Sequence, residues 1–270
     1  MLNYNTSIKQ NEILSMKSPE DIAKYDPNTT RRIVFSSQYT GPVDAQSITQ
    51  MLRPIKRIEE ISFFKEISWE LACKLNVLHP RQLYFTVSLD EPPLRLEFDE
   101  LQALTIYMHN ADCAETLFNM QLLHSVQYDF SGVPNLTQLE LRHWEHLDYF
   151  CLAQLPKLKT LLVADNTLYD LFWLSRNYKL EKFTCFGKLE DITAITVQNK
   201  LRRLCLSYNN IVDGTPLLCL ENLQHLDIYK NPINCENQLR AMGIETLIIT
   251  AEDKELQLSN KQLSIKISST

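Results

Sequence analysis

A motif with a period of 22 residues in the second half of the chain restricts the fold more than any other sequence feature. It has leucine or isoleucine at three positions spaced three and two residues apart, and asparagine three residues further on. The motif occurs at Leu201, Leu204, Leu206 and Asn209, and again at Leu223, Leu226, Ile228 and Asn231. A fixed period of this length indicates a repeat protein in which each unit packs mainly on its neighbours.

Further copies with the same apolar spacing precede and follow these two, most of them at steps of 21 or 22 residues. They begin at Ile58, Pro80, Leu101, Leu136, Leu158, Leu180 and Ile244. One more copy, at Leu123, Val126 and Tyr128, lies only 13 residues before the copy that starts at Leu136. It predicts either a shortened repeat or an error of register near Gly132.

The spacing predicts one short strand and one turn in each unit. The second and third apolar positions alternate, so both point inwards, and the asparagine can bond backbone groups where the strand ends. Apolar pairs three residues apart on the return path, such as Leu168 with Leu171, predict turns of 3₁₀ or α-helix. We therefore expect an α/β fold, a curved solenoid with one parallel β-sheet on its concave face and short helices or 3₁₀ turns on its convex face.

These copies resemble leucine-rich repeats of the 22-residue class found in bacterial internalins and in regulatory leucine-rich proteins of eukaryotic cells. Asn209–Ile211 and Asn231–Ile233 have the N-x-I and N-P-I forms typical of that class. The resemblance covers about 58–252, although Trp144 and Lys188 stand where the class has asparagine. It implies a leucine-rich-repeat solenoid that binds another protein through its concave sheet.

The chain divides into three segments on this interpretation. They are an N-terminal helical cap with a degenerate first repeat at 1–57, leucine-rich repeats at 58–252, and a C-terminal β cap at 253–270. In the first segment Ser18–Asp21 predicts the start of a helix that ends near Pro27, because a hydroxyl cap, proline and acids suit a first turn. A strand at 32–35 and a second helix at 44–52 follow.

Composition excludes several classes of function. The five glycines are too scattered for a G-x-G-x-x-G turn or a phosphate-binding loop, which argues against nucleotide cofactors. A net charge of -6 argues against bulk nucleic-acid binding. Seven cysteines without C-x-x-C spacing suit reduced thiols in the cytoplasm better than a disulfide framework or a zinc module. We expect no cofactor and no metal.

The location and assembly of the protein follow from similar arguments. No stretch approaches 18 apolar residues, and Met1–Thr6 lacks the features of a signal peptide, so we expect no membrane association. The sequence predicts a cytoplasmic monomer. If the protein is a bacterial effector, it would instead enter a host cell without a Sec signal.

The register assigns candidate partner-binding residues to the concave face, at positions between and just after the inward leucines. Aromatic side chains and arginine dominate the energetics of protein interfaces, and both occur there. The candidates are Tyr84, Tyr107, Arg142, His143, Trp144, Phe186, Tyr208, Asp227, Tyr229 and Lys230. Alternatively, these aromatic residues only pack across strands, as is common on β-sheets.

Two residue pairs are candidates for a metal site or for a catalytic nucleophile. His143 with His146 lacks further metal ligands, and Cys113 with His109 lacks an orienting acid. The sequence therefore predicts no catalysis.

A basic run at Lys200, Arg202 and Arg203, beside Lys179 and Lys182, has two interpretations. It attracts an acidic partner, or it is a solvated rim balanced by Glu181 and Glu221, which the sequence favours.

We expect a protein-binding adaptor or regulatory scaffold. One alternative is a secreted bacterial effector that binds a host protein. Another is an enzyme with a recognition solenoid, which is disfavoured because residues 1–57 contain neither cysteine nor histidine and are short for a catalytic domain.

Overall fold

A computed structural model gives the fold of most of the chain. It describes residues 12–55, 58–88, 93–109, 128–144, 147–176, 179–250 and 253. The chain divides into two units, Met1–Arg142 and His143–Thr270, and within each unit the strands are parallel and follow chain order.

The sheet of the first unit consists of strands in chain order, each paired in parallel with the next. The strands are β1 (Ile13–Met16), β2 (Arg32–Phe35), β3 (Glu60–Glu66), β4 (Gln82–Ser88), β5 (Ala103–His109) and β6 (Gln138–Arg142). The connections contain a 3₁₀ helix at Pro19–Lys24, α1 (Ala45–Leu52), α2 (Trp69–Lys74) and a second 3₁₀ helix at Leu75–Leu78. Side chains cap both α-helices, since Asp44 accepts from the Ser47 N–H at 2.8 Å and Ser68 from the Leu71 N–H at 3.2 Å.

The second unit repeats this arrangement with shorter connections. Its strands are β7 (Thr160–Ala164), β8 (Lys182–Phe186), β9 (Arg203–Cys205), β10 (His225–Asp227) and β11 (Thr246–Ile248), again parallel and in chain order. A 3₁₀ helix at Tyr149–Gln154 precedes β7, and between the strands lie 3₁₀ helices at Phe172–Arg176, Thr193–Val197 and Thr215–Cys219, and then α3 (Glu236–Ala241).

The core of each unit lies between its strands and its helices, and the leucine positions of the repeat supply it. In the second unit Leu161, Phe183, Leu204 and Leu226 stand opposite one another in register and are buried. Each strand is too short to hold a core alone, so its stability comes from the strand on either side. The predicted fold class, a leucine-rich-repeat solenoid of parallel strands with short helices and 3₁₀ turns, is confirmed.

The N-terminal segment differs from prediction in two details. The helix that begins after Ser18 is a 3₁₀ helix ending at Lys24, and β1, which was not predicted, precedes it. The predicted strand at 32–35 and helix at 44–52 are present as β2 and α1. The division into two caps and a repeat region stays a prediction, and of the proposed C-terminal β cap only Asp253 is among the described residues.

The copy at Leu123, Val126 and Tyr128 adds no strand between β5 and β6, so of the two alternatives the shortened repeat is wrong and the error of register is confirmed. β5 pairs directly with β6, and Leu104 stands opposite Leu139. Leu123 and Val126 lie outside the described residues. Tyr128 is not in a strand, and its buried ring packs against Trp69 of α2 at a centroid distance of 5.7 Å.

Candidate functional site

Buried asparagines determine how the chain leaves the strands of the second unit. The Asn209 side chain donates to the carbonyls of Leu206 at 2.9 Å and of Cys185, in the preceding repeat, at 3.0 Å. Its carbonyl oxygen accepts from the Leu189 N–H at 3.0 Å. Asn231 repeats this pattern one unit later, bonding to Leu206 and to its own turn. These bonds fix the backbone on which the neighbouring outward side chains stand.

The residue before the asparagine position has an unusual backbone. Tyr208 has a φ of 60°, Lys230 of 61° and His143 of 59°, all in the left-handed region. Bulky side chains are uncommon there, and each costs of the order of 1 kcal/mol or more. The Tyr208 N–H donates to the Tyr229 carbonyl at 2.8 Å, which helps to hold this conformation. The strained backbone presents the Tyr208 side chain to solvent, where 56% of its surface is exposed.

Tyr208, Tyr229 and Lys230 form one group, which we call the tyrosine cluster. The two rings meet edge to face, with centroids 5.6 Å apart and planes at 86°. The Lys230 ammonium lies 5.4 Å from the centroid of the Tyr229 ring, a cation–π distance. Asp227, the last residue of β10, accepts from the Tyr229 N–H at 3.1 Å and so orients the backbone beneath the cluster.

Phe186 is another predicted binding residue on a strand of the second unit. It is the last residue of β8 and is half-buried. It occupies the repeat position of Ser207 and Tyr229. His143 is exposed at the repeat position of Tyr208.

The prediction that Trp144 belongs to the binding surface is wrong, because only 3% of its side chain is exposed. It stands at the repeat position of Asn209, where the side chain points inwards, and a large apolar ring fills that space in place of an amide. The sequence pattern identified the position but not the change of direction.

The first unit carries a second group of outward side chains. Tyr84 and Tyr107 are half-buried on β4 and β5, and the Tyr84 ring lies 5.0 Å from that of Phe64. Burial raises the pKa of the Tyr84 hydroxyl, which therefore stays protonated at neutral pH. On β6 the Arg142 guanidinium donates to the largely buried carboxylate of Glu140. This pair fixes Arg142 against the sheet.

Phe64, which is 54% exposed, was not among the predicted residues. It follows the third apolar position of the copy at Ile58, so the register could have identified it. A shift of register between Ser62 and Glu66 accompanies its exposure.

A buried polar pair in the second unit has a structural role. The Tyr149 hydroxyl donates to the Asp165 carboxylate at 2.7 Å, and Asp165 also accepts from the backbone and hydroxyl of Thr167. Burial, with the nearby Asp165 charge, raises the pKa of Tyr149 well above its usual value. The pair satisfies polar groups that the core encloses.

The structure describes only part of the two residue pairs that the sequence analysis rejected for chemistry. His146 and Cys113 lie outside the described residues, as does the side chain of His109. Within the ranges given above, no three histidine, cysteine or acidic side chains converge as metal ligands would. In the same ranges no helix has the length and apolar character needed to span a membrane. Cys73, Cys151, Cys185, Cys205, Cys219 and Cys235 are free thiols.

Comparison with known proteins agrees with the fold. No family model matches the chain. Leucine-rich repeat-containing protein 56 of Rattus norvegicus is 36% identical over 112 residues, which are 42% of this chain and 17% of that protein. The chain thus spans about a sixth of the length of this curated relative.

Solved structures from Listeria monocytogenes are similar in fold at low identity. InlP matches with a TM-score of 0.50 and 17% identity over 80% of this chain and 58% of its own. The internalin InlF matches with a TM-score of 0.47 and 18% identity over 82% of this chain and 64% of its own. The repeat pattern, the strand order and the match to InlP together show a leucine-rich-repeat fold that resembles the fold of the internalins.

Proposed function

We propose that this chain is an adaptor or regulatory scaffold that binds another protein through the outward strand surface of its second unit. The observation that carries the proposal is the presentation of Tyr208. A bulky residue occupies a left-handed backbone position, where asparagine or glycine costs less, and its ring remains exposed. Residues that destabilise a fold locally and face solvent are those that binding sites use.

The tyrosine cluster has the composition of an interface anchor. Two tyrosines offer large, rigid surfaces with a polar hydroxyl at the end, and Lys230 adds a charge beside them. The edge-to-face contact reduces the freedom of both rings before a partner arrives, so less entropy is lost on binding. Leucine-rich-repeat proteins commonly bind proteins, which is consistent with this use of the surface.

The proposal includes no catalytic step. Cytoplasmic location and a monomeric state accompany it as predictions, supported by the number and spacing of the cysteines. The alternative of a secreted effector rests on the resemblance to internalins, and at 17% identity that likeness concerns the fold alone.

The test is quantitative binding to a partner captured from native cell extract and identified by mass spectrometry. The variant Tyr208→Ala with Tyr229→Ala should weaken binding at least about 30-fold, because an interface hot spot contributes about 2 kcal/mol or more. Its circular dichroism spectrum should match that of the parent, since both side chains are on the surface.

Tyr169→Ala with Phe172→Ala is the matched control. These aromatic residues are 51% and 67% exposed but lie on the helical side of the same unit, so the double variant should bind normally. Normal binding by the tyrosine variant, or an equal loss in the control, contradicts the proposal.

A further inference from the structure

A group of cations lies at the amino ends of the strands in the second unit. We call it the cationic patch, and it consists of Lys159, Lys179, Lys182, Lys200, Arg202 and Arg203. Backbone hydrogen bonds bring neighbouring members of the patch together. The backbone N–H groups of Arg202 and Arg203 both donate to the Glu181 carbonyl, at 2.9 and 3.1 Å. Lys182 donates in the same way to the Lys159 carbonyl at 3.0 Å. Like charges thus repeat across neighbouring strands, which lie about 4.8 Å apart.

The carboxylate inside the patch does not neutralise it. Glu181 forms an ion pair with Lys159 at 3.0 Å, which lowers the pKa of Glu181. Glu221, at the next repeat, is exposed and has no ion pair within the described part of the chain. Glu181 therefore balances part of the positive charge, as the solvated-rim interpretation expects, whereas no ion pair with Glu221 is present among the described residues.

The remaining cations of the patch contrast with arginines elsewhere in the protein. Arg32 pairs with Glu60, Arg142 with Glu140 and Arg240 with Asp253. Among the residues that the structure describes, Lys182, Lys200, Arg202 and Arg203 have no such close ion pair, although the charges of Arg202 and Lys182 also lower the pKa of Glu181. These four exposed like charges outnumber the Glu181 carboxylate beside them and repel one another, so their proximity has a cost that an acidic ligand would lower.

A neighbouring histidine responds to the same charge. Burial, and then the Arg203 guanidinium, lower the pKa of His225 on β10, whereas Glu245 at 3.8 Å acts in the opposite direction. His225 is therefore mainly neutral at pH 7 and adds little positive charge. The strong charge of the patch comes from its lysines and arginines.

We propose that the cationic patch binds an acidic segment of the partner protein whose apolar side chains contact the tyrosine cluster. This inference rests on the proposed function and names the chemistry of the partner. Arg203 begins β9 and Tyr208 follows five residues later, about 16 Å along an extended chain. An extended segment of about five or six residues, acidic at one end and apolar at the other, spans that distance.

A protein segment fits this surface better than a nucleic acid does. Asp227 lies on β10 between the level of the patch and Tyr229, so a continuous phosphate backbone would meet a carboxylate there. The net charge of the chain is -6, which repels a long polyanion beyond the patch itself.

The experiment measures fluorescence anisotropy of the full chain with a short labelled peptide of alternating glutamate and serine. The same peptide with glutamine in place of glutamate is the uncharged probe. The glutamate peptide should bind, with an affinity that falls as salt is added, and the glutamine peptide should not. Equal binding of the two peptides, or no binding of either, overturns the proposal.

Charge reversal locates the site. Lys182→Glu with Arg203→Glu should weaken binding of the glutamate peptide about tenfold or more, and Lys182→Gln with Arg203→Gln should weaken it less. Arg53→Glu with Lys188→Glu is the matched control, because it makes the same charge change at exposed positions outside the patch. Both reversed proteins should melt like the parent. An equal loss in the control, or no loss in the patch variant, overturns the assignment.

Two further probes separate the remaining explanations. The first probe is labelled oligouridylate. If it binds more tightly than the peptide and through the same residues, the ligand of the patch is single-stranded RNA and the proposal is overturned. The variant Tyr208→Ala with Tyr229→Ala should bind the glutamate peptide within about twofold of the parent, since that peptide has no apolar side chain. If the tyrosine variant loses partner binding but the glutamate peptide does not bind the parent, the assignment of the cationic patch is wrong and the proposed function stands. If the tyrosine variant binds the partner normally, the proposed function is wrong. The peptide measurement then tests the cationic patch independently.

Discussion

At the scale of the residue, the side-chain amide of Asn209 stabilises a turn of a kind that contains glycine in many other proteins. The chain has only five glycines, and Asn209 replaces their flexibility with three strong bonds to backbone groups of two repeats. Because the amide is buried, the Leu189 N–H and the Cys185 carbonyl depend on it, whereas the Leu206 carbonyl also accepts from Asn231. Tyr208 can then occupy a strained position, since the neighbouring asparagine holds the turn on its other side.

Asn209→Ala tests this role. We expect the free energy of unfolding to fall by about 2 to 4 kcal/mol, because the buried Leu189 N–H and Cys185 carbonyl lose their partner, while the Leu206 carbonyl keeps its bond from Asn231. Asn210→Ala, at the exposed adjacent position, should change stability by less than about 0.5 kcal/mol. Urea unfolding followed by circular dichroism measures both, and equal values for the two variants would show that the asparagine bonds do not hold the turn.

At the scale of the element, the connections of the first unit depend on contacts that repeat periodicity does not encode. After β4, residues 93–98 run beside the segment that contains Tyr128 and Gly132. The Tyr128 hydroxyl donates to the Leu94 carbonyl at 2.9 Å, and the Phe98 N–H donates to the Gly132 carbonyl at 2.9 Å. Arg95 pairs with Asp129 at 3.1 Å on the surface of this contact.

Gly132→Ala should separate these two segments. A Cβ at residue 132 would lie 2.1 Å from the Leu96 carbonyl oxygen, and that oxygen belongs to backbone, so the chain itself must move. We expect a loss of about 2 kcal/mol or more. Gly243→Asn is the comparison, because no atom within 4 Å opposes a side chain there and asparagine tolerates its φ of 67°. Equal melting of the Gly132 variant and the parent would mean that the segments do not approach this closely.

The sequence predicts the strands of both units well, because the inward residue of each strand belongs to a spacing that recurs. Leu83, Leu104 and Leu139 are opposite one another, as the period requires. Where a unit departs from the period, prediction fails for a physical reason. β1 is only four residues long and pairs with one strand, and Trp144 turns inwards because an apolar ring can fill the space of the asparagine.

The candidate site was predictable in position but not in organisation. Register alone places Tyr208 and Tyr229 on the outward surface. It does not predict the left-handed backbone at Tyr208 or the edge-to-face contact, since both depend on bonds between repeats. The sequence likewise does not show that Glu181 forms its close ion pair with Lys159 and not with Arg202 or Arg203.

At the scale of the whole molecule, the two sides of the second unit differ in what they expose. The strand side carries the tyrosine cluster and the cationic patch, and the helical side carries scattered apolar residues such as Tyr169, Phe172 and Val212. In the described part of this unit, the strand side combines aromatic anchors with an excess of positive charge, the two features that give an interface its affinity and its rate of association. The central claim is that this side binds the partner.

Hydrogen exchange of the complex with the captured partner tests that claim most directly. Binding should slow amide exchange in peptides that span 203–210 and 225–231 and leave the 3₁₀ helices at Thr193–Val197 and Thr215–Cys219 unchanged. We expect this protection on the strand side alone. Protection of the two 3₁₀ helices without protection of the strand segments would contradict it.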